Sequence, residues 1–309
     1  MSSDKAVKYS ITIINSDEKI RSALNESNQY LMSNNELSFR IDRTLWIFRS
    51  LEDLLPQTLE KFWSGHMFPL VEANSELENS IQLCKLGFYK HSFIALRNIM
   101  ELGLLSVYWD IDGKSHENIQ SWLYSFENTP FKKTVFEKLL TNQNIKKFNE
   151  KHEILKNIKV LFNELSNFAH TKGRTYSGMD LANANFNRFN EKSFLKWLEL
   201  MTRVIKSVII LHVLQYPVAL QHTPIEDKFG INGPAGTFLL PHDSEAVKNF
   251  LDKDIMETLQ EISDNDPEAT SLAQWVNDQP DITEEALRGQ LEEFGKMEKH
   301  LYKKHDQND

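Results

Sequence analysis

The chain has 309 residues, 40% of them hydrophobic and 26% charged, with a formal net charge of −9. That composition excludes a disordered or collagen-like polymer and fits a globular chain with a substantial core. Its 11 glycines and 9 prolines favour long helices over many short strands, and the single cysteine, Cys84, excludes an internal disulfide and a CxxC metal site.

The N-terminus, MSSDKAVKYS, lacks the apolar run of a secretory leader. With one cysteine, it sets the expectation of a cytoplasmic chain. Residues 6–14 alternate apolar and polar positions, and fit either a short strand or the lead-in to a helix. Asp17 can cap a helix carrying Ile20, Leu24 and Leu31. Residues 36–62 place Ile41, Leu45, Phe48, Leu51 and Leu55 at helical spacing, with a kink or break expected at Pro56. Pro69 suits the first turn of the next helix, which meets Gly87.

The central stretch is residues 91–110, HSFIALRNIMELGLLSVYWD. From 93 to 109 it is apolar except for Arg97, Asn98, Glu101 and Ser106, the pattern of a helix surrounded by other helices. Arg97 and Glu101 lie four apart, hence on one face. A buried charge is costly unless paired, so the pair is either a structural lock or an anion-holding group in a cleft. This run and residues 204–220 are each about 17 residues long, at the short limit for a bilayer. Both carry charged or polar residues and read as core helices, so no membrane is expected.

Asp112-Gly113 signals a turn. A short helix follows Ser115, and Pro130 opens another with Val135 and Leu139. A single long helix is then expected, with Phe148, Leu155, Ile158, Phe162, Leu165 and Ala169 as its apolar stripe and Gly173 as its C-terminal cap. The opposite face carries His152, Lys156, Lys159, Asn163, Ser166 and His170 at alternating steps of four and three. For the lysines a solvated face is the simplest account. Residues 175–190 read as a loop, and 193–216 as the last strongly apolar helix.

Beyond Pro217 the composition changes. Residues 223–241 collect prolines and glycines, residues 230–236 read as a turn and not a phosphate cradle, and a short strand fits 237–240. Asp243 or Ser244 can cap a helix through Ile262, and Thr283 a last one through Leu301. Residues 243–309 hold 18 acidic and 7 basic residues, a net −11, which leaves +2 on the other 242. Residues 132–203 alone carry +7. A basic middle suits either solvated lysine faces or a polyanion. The acidic end suggests a shield over it that a partner removes. The domain reading is N-terminal helices at 1–70, a helical bundle at 71–222 and an acidic helical region at 223–309.

The residues around His170 read NELSNFAHTKGR from Asn163 to Arg174. A histidine at a helix C-terminus is favoured when protonated, which is one account of His170. The other makes it a proton-transfer group or phosphate ligand, since its unperturbed pKa is near neutrality. Lys172 and Arg174 would then supply charge for a phosphate. The scattered histidines, with no HExxH and no Glu-x-x-His, imply no metal or other cofactor.

An Ala-Leu-Arg-Asn-x-x-Glu helix followed by a helix ending Leu-Ser-Asn-Phe-Ala-His-x-x-Gly resembles the HEPN superfamily, over about residues 71–216. The resemblance implies an all-α bundle of four or five helices, commonly a homodimer, in bacterial defence, toxin–antitoxin or stress systems. It also implies binding of RNA or a nucleotide, and metal-independent RNA cleavage in many members. In that chemistry a histidine helps the ribose 2′-hydroxyl attack the adjacent phosphate while an arginine four to six residues earlier stabilises the charge. Here His170 matches the histidine, but Asn163, Glu164 and Leu165 stand where the arginine would be. Either Arg97 supplies the guanidinium from the neighbouring helix, or the domain only binds. The expected catalytic set is His170, Arg97 and Glu101. The expected substrate-binding set is Asn98, Asn163, Ser166, Asn167, Lys172 and Arg174. The competing reading is a non-catalytic interaction or dimerisation protein with a structural Arg97–Glu101 pair.

Overall fold

The computed structural model describes residues 3–55, 65–111, 116–177, 188–230 and 238–305, and every regular element among them is a helix. The protein is an all-α helical bundle. The expected kink at Pro56, the turn at Asp112-Gly113 and most of the 175–190 and 230–236 loops lie outside the described residues.

The N-terminal segment is one helix, α1 (Ser3–Ser33), so the alternation at 6–14 marks helix and not strand. The next helix, α2 (Asn35–Ser50), is shorter than its apolar spacing suggests and passes into a 3-10 turn at Leu51–Leu54. Next come α3 (Phe68–Lys85), with Pro69 in its first turn, and α4 (Tyr89–Ile111). After α4 lie the short α5 (His116–Leu123) and α6 (Lys132–Leu139).

The single long helix expected over residues 148–169 is two. A break at Glu153 (φ 47°) separates α7 (Gln143–His152) from α8 (Ile154–Ala169). A non-glycine residue rarely adopts this left-handed conformation, and apolar periodicity that continues across one such residue hides it. His152 therefore leaves the polar stripe of α8. Its imidazole stacks on Phe148, 4.6 Å between centroids, and its Nε2 lies 2.8 Å from Thr258 Oγ1.

The long apolar helix α9 (Glu191–Gln215) is capped by Asn190, whose side chain accepts from the Ser193 amide. A five-residue α10 (Ile225–Phe229) follows. Residues 238–240 form no strand. Where one helix was expected to Ile262 there are two, α11 (Pro241–Phe250) and α12 (Lys253–Asp264). The helices α13 (Pro267–Asn277) and α14 (Glu284–His305) complete the described chain, with Thr283 Oγ1 accepting from Ala286 at the start of α14.

Helix α4 is the axis. It packs along α3, α9 and α8, and buries Phe93, Leu96, Ile99, Met100 and Leu104, among others. Gly103 allows the crossing with α9, because a Cβ there would stand 2.6 Å from a Val208 methyl. Each large aliphatic or aromatic side chain so buried stabilises the fold by roughly 1.5–3 kcal/mol before entropy is counted. Of the acidic C-terminal helices, α11 and α12 belong to the same core, to which Val247, Leu259 and Ile262 contribute, with Leu251 between them. None of the described helices is long and apolar enough to cross a membrane.

Candidate functional site

Helices α4 and α8 run antiparallel, joined at their apolar faces by the stacked rings of Phe93 and Phe168, 4.3 Å between centroids. At the edge of this contact the two polar sets meet. Arg97 Nη1 donates to Glu101 Oε2 at 2.9 Å, and Arg97 Nε reaches Ser166 Oγ at 3.4 Å. The guanidinium lies over the Phe162 ring, 4.8 Å from its centroid. Its third nitrogen, Nη2, has no partner among the described residues.

The pair is not sealed inside the bundle as the apolar surroundings of Arg97 suggest. The Arg97 and Glu101 side chains are 24% and 37% exposed. Helix α6 supplies what covers them on one side. Lys132 Nζ donates to Asn163 Oδ1 at 2.9 Å and stands 4.6 Å from the Phe162 centroid, on which Arg97 also rests. Burial, and then the positive charges of Lys159 and Arg97, push the Lys132 ammonium below its usual pKa, with Glu101 opposing. Three cations thus share one region with one carboxylate. Neither Lys132 nor Lys159 has an acidic partner among the described residues.

Of these residues, Lys132 and Lys159 line a groove of about 660 Å³ between α6 and the α7–α8 corner. Its other lysines are matched: Lys133 faces Glu137 at 3.7 Å and Lys156 faces Glu153 at 2.8 Å. Of the groove's four lysines and three glutamates, Lys132, Lys159 and Glu150 stand without an ion pair among the described residues.

The remaining expected site residues divide. His170 caps α8, one helical turn beyond Ser166, or about 6 Å along the axis. Its side chain is exposed and, among the described residues, makes no hydrogen bond or ion pair, including none with Arg97. The turn after it closes through Thr171 and not Gly173. Thr171 adopts the left-handed conformation (φ 48°), with Thr171 N–H donating to Phe168 O and Lys172 N–H to Asn167 O. A β-branched residue is strained there, and Lys90 Nζ holds the Thr171 hydroxyl at 2.6 Å. Asn167 is half-buried, while Lys172 and Arg174 are exposed and unpaired among the described residues. Asn98 is not gathered here: its amide donates to Glu76 Oε2 of α3 at 3.2 Å.

Sequence reasoning overlooked Lys132 and assigned Lys159 to a solvated face. Lys159 carried a usable signal, since it lies one turn from Asn163 on the face that also bears Ser166. Lys132 carried none, because the docking of a short separate helix is a tertiary fact.

The arrangement can hold an anion. A phosphate would find a free guanidinium nitrogen and two ammonium groups, with the Asn163 amide nitrogen as a neutral partner; the Ser166 hydroxyl donates to Phe162 O at 2.8 Å. Among the described residues, no group of three His, Cys, Asp or Glu side chains is placed to hold a metal ion. No family model, curated protein or solved structure matches the chain.

Proposed function

We propose that the Arg97–Lys132–Lys159 face binds the phosphates of RNA or of a nucleotide. The observation that carries this reading is the grouping of charge: Arg97 and Lys132 both rest on the Phe162 ring, Lys159 adds its positive charge at Lys132, and Glu101 is the carboxylate paired with Arg97. An anion relieves the repulsion among these cations, and nothing in the described chain supplies it. The local resemblance to the HEPN pattern adds RNA as the class of ligand and bacterial defence or stress as the setting. The test is binding of a labelled eight-nucleotide RNA at low salt. Arg97→Ala and Lys132→Ala should each weaken it about tenfold, the scale of one charged hydrogen bond. Unchanged affinity in the double variant would refute the reading.

A second reading, metal-independent cleavage, is favoured by one observation: His170 is exposed, without a hydrogen-bond partner among the described residues, and one turn from Ser166. In it the ribose 2′-oxygen attacks the adjacent phosphorus and its proton passes to His170. The bond from phosphorus to the 5′-oxygen breaks, and that oxygen takes a proton from solvent. Arg97 stabilises the charge on the phosphoryl oxygens. Cleavage in EDTA leaving a 2′,3′-cyclic phosphate, lost in His170→Ala with RNA binding retained, is the expected result. Cleavage that survives His170→Ala would exclude this role. The chain would act as a non-catalytic interaction protein if it neither bound nor cut RNA.

A further inference from the structure

The loop between α5 and α6 exposes three aromatic rings in eight residues: Tyr124 is 69% exposed, Phe126 81% and Phe131 83%. The loop is tied down. Trp122 Nε1 donates to Thr129 Oγ1 at 3.1 Å, and the Phe126 amide donates to Ser121 O at 2.8 Å. Ser125 takes a left-handed conformation (φ 59°), and the Tyr124 and Phe126 rings stand 6.2 Å apart. A structured loop that holds such side chains in water has a use for their faces.

The neighbourhood identifies that use. Phe131 directly precedes Lys132 and Lys133, and Glu127 is the one acidic residue between positions 121 and 136. Phe126, five residues from Phe131, lies no more than about 18 Å from it even with the chain fully extended. Exposed aromatic rings within a few residues of a groove-lining lysine offer what a single strand of nucleic acid requires: stacking surfaces for bases, and cations along the backbone. A protein partner would be served by the apolar surface alone. It would have to desolvate Lys132 and Lys159 without neutralising them, unless it brought matching carboxylates.

We infer that this loop is a base-stacking platform, on which Phe131 and Phe126 seat bases of a single-stranded RNA whose phosphates lie on Lys132, Lys159 and Arg97. The inference rests on the phosphate-binding reading above, and its test separates the two. The probes are an eight-nucleotide RNA and an abasic ribose-phosphate oligomer of equal length. Phe126→Ala/Phe131→Ala, both exposed positions, should weaken RNA binding by about tenfold or more and leave the abasic oligomer within about twofold. Phe126→Trp/Phe131→Trp should restore RNA binding.

RNA affinity unchanged in the alanine double variant overturns the platform while the phosphate site stands. Equal losses on both probes overturn it too, since the cation face would then have been disturbed. If the wild type binds neither probe, both readings fall. A change in sedimentation of the alanine double variant would then assign the rings to a protein contact.

Discussion

Helix α4 carries two polar clusters three turns apart, and they are built on opposite terms. Toward its C-terminus, Asp110 is 9% exposed and accepts hydrogen bonds from the Tyr216 hydroxyl and from Gln215 Nε2. Beside it, buried His212 has Nδ1 2.8 Å from the Val208 carbonyl and Nε2 3.1 Å from Ser106 Oγ. A carbonyl only accepts, so Nδ1 carries the proton and Nε2 accepts from the serine. Burial pushes the imidazole down to about 4 and keeps it neutral at pH 7. There the Asp110 carboxylate, the Tyr216 hydroxyl and both His212 nitrogens are answered from within the chain. At Arg97 the charges remain open to solvent and do not sum to zero. A sealed and satisfied cluster specifies packing; an open one with surplus charge waits for a ligand.

The largest effect should come from breaking the sealed cluster. Asp110→Ala strands the Tyr216 hydroxyl and the Gln215 amide, and should cost about 3 kcal/mol, read as a lowered midpoint in urea. RNA binding by the fraction still folded should not change. An intact midpoint would mean that the cluster does not hold the helices together.

Next in size is a pH dependence that belongs to the same cluster alone. The folded pKa of His212 lies below the unfolded value of 6.5, so the unfolded chain binds more protons between pH 6.5 and 4. The stabilisation by the neutral imidazole is complete above pH 6.5 and disappears as pH falls through 4. Between pH 7 and 5 the wild type should lose about 2 kcal/mol that His212→Gln does not lose. Parallel slopes for the two proteins would contradict the assignment. Asp53 acts in the opposite sense: burial first, then the charges of Asp243 and Glu52, raises its pKa to about 6, so its contribution is present below pH 3.8 and lost through pH 6. The comparison with the variant is therefore what isolates the histidine.

The smallest expected change in stability is at the open cluster. Lys132→Ala removes a cation repelled by two others, and should alter the urea midpoint by no more than about 0.5 kcal/mol. The same variant should reduce the salt dependence of RNA binding by about one unit of slope. A large stability loss with no change in slope would place Lys132 with the structural residues.

The sealed cluster was not legible from local pattern, since its partners Asp110 and Tyr216, and Ser106 and His212, stand 106 residues apart. The helical class was, because periodicity reports which face of a helix meets a core. Arg97 and Glu101 were legible as a pair for the same reason, and Ser166 and Asn163 as one face of α8. The partners that decide the site's chemistry were not. Lys132 arrives on an eight-residue helix, and which side of α8 it covers depends on contacts among Val135, Leu139 and the rest of the core. The corner at Glu153 was invisible for a different reason: apolar spacing continues across it, and the residue carries no glycine or proline signal. The expected shield was a matter of charge alone. Helices α11 and α12 share the core, and among the described residues the acidic helices make no hydrogen bond or ion pair with Arg97, Lys132 or Lys159.

Gly103 has a consequence that reaches both clusters. With no room for a methyl group between α4 and α9 at this crossing, the two backbones are packed as closely there as side chains allow. The amides around 103 and 208 should be among the last to exchange with deuterium, since opening them requires unfolding the whole bundle. Side chains on the rim can then be replaced, one cation for another or one ring for another, while the spacing between the two ends of α4 stays as it is.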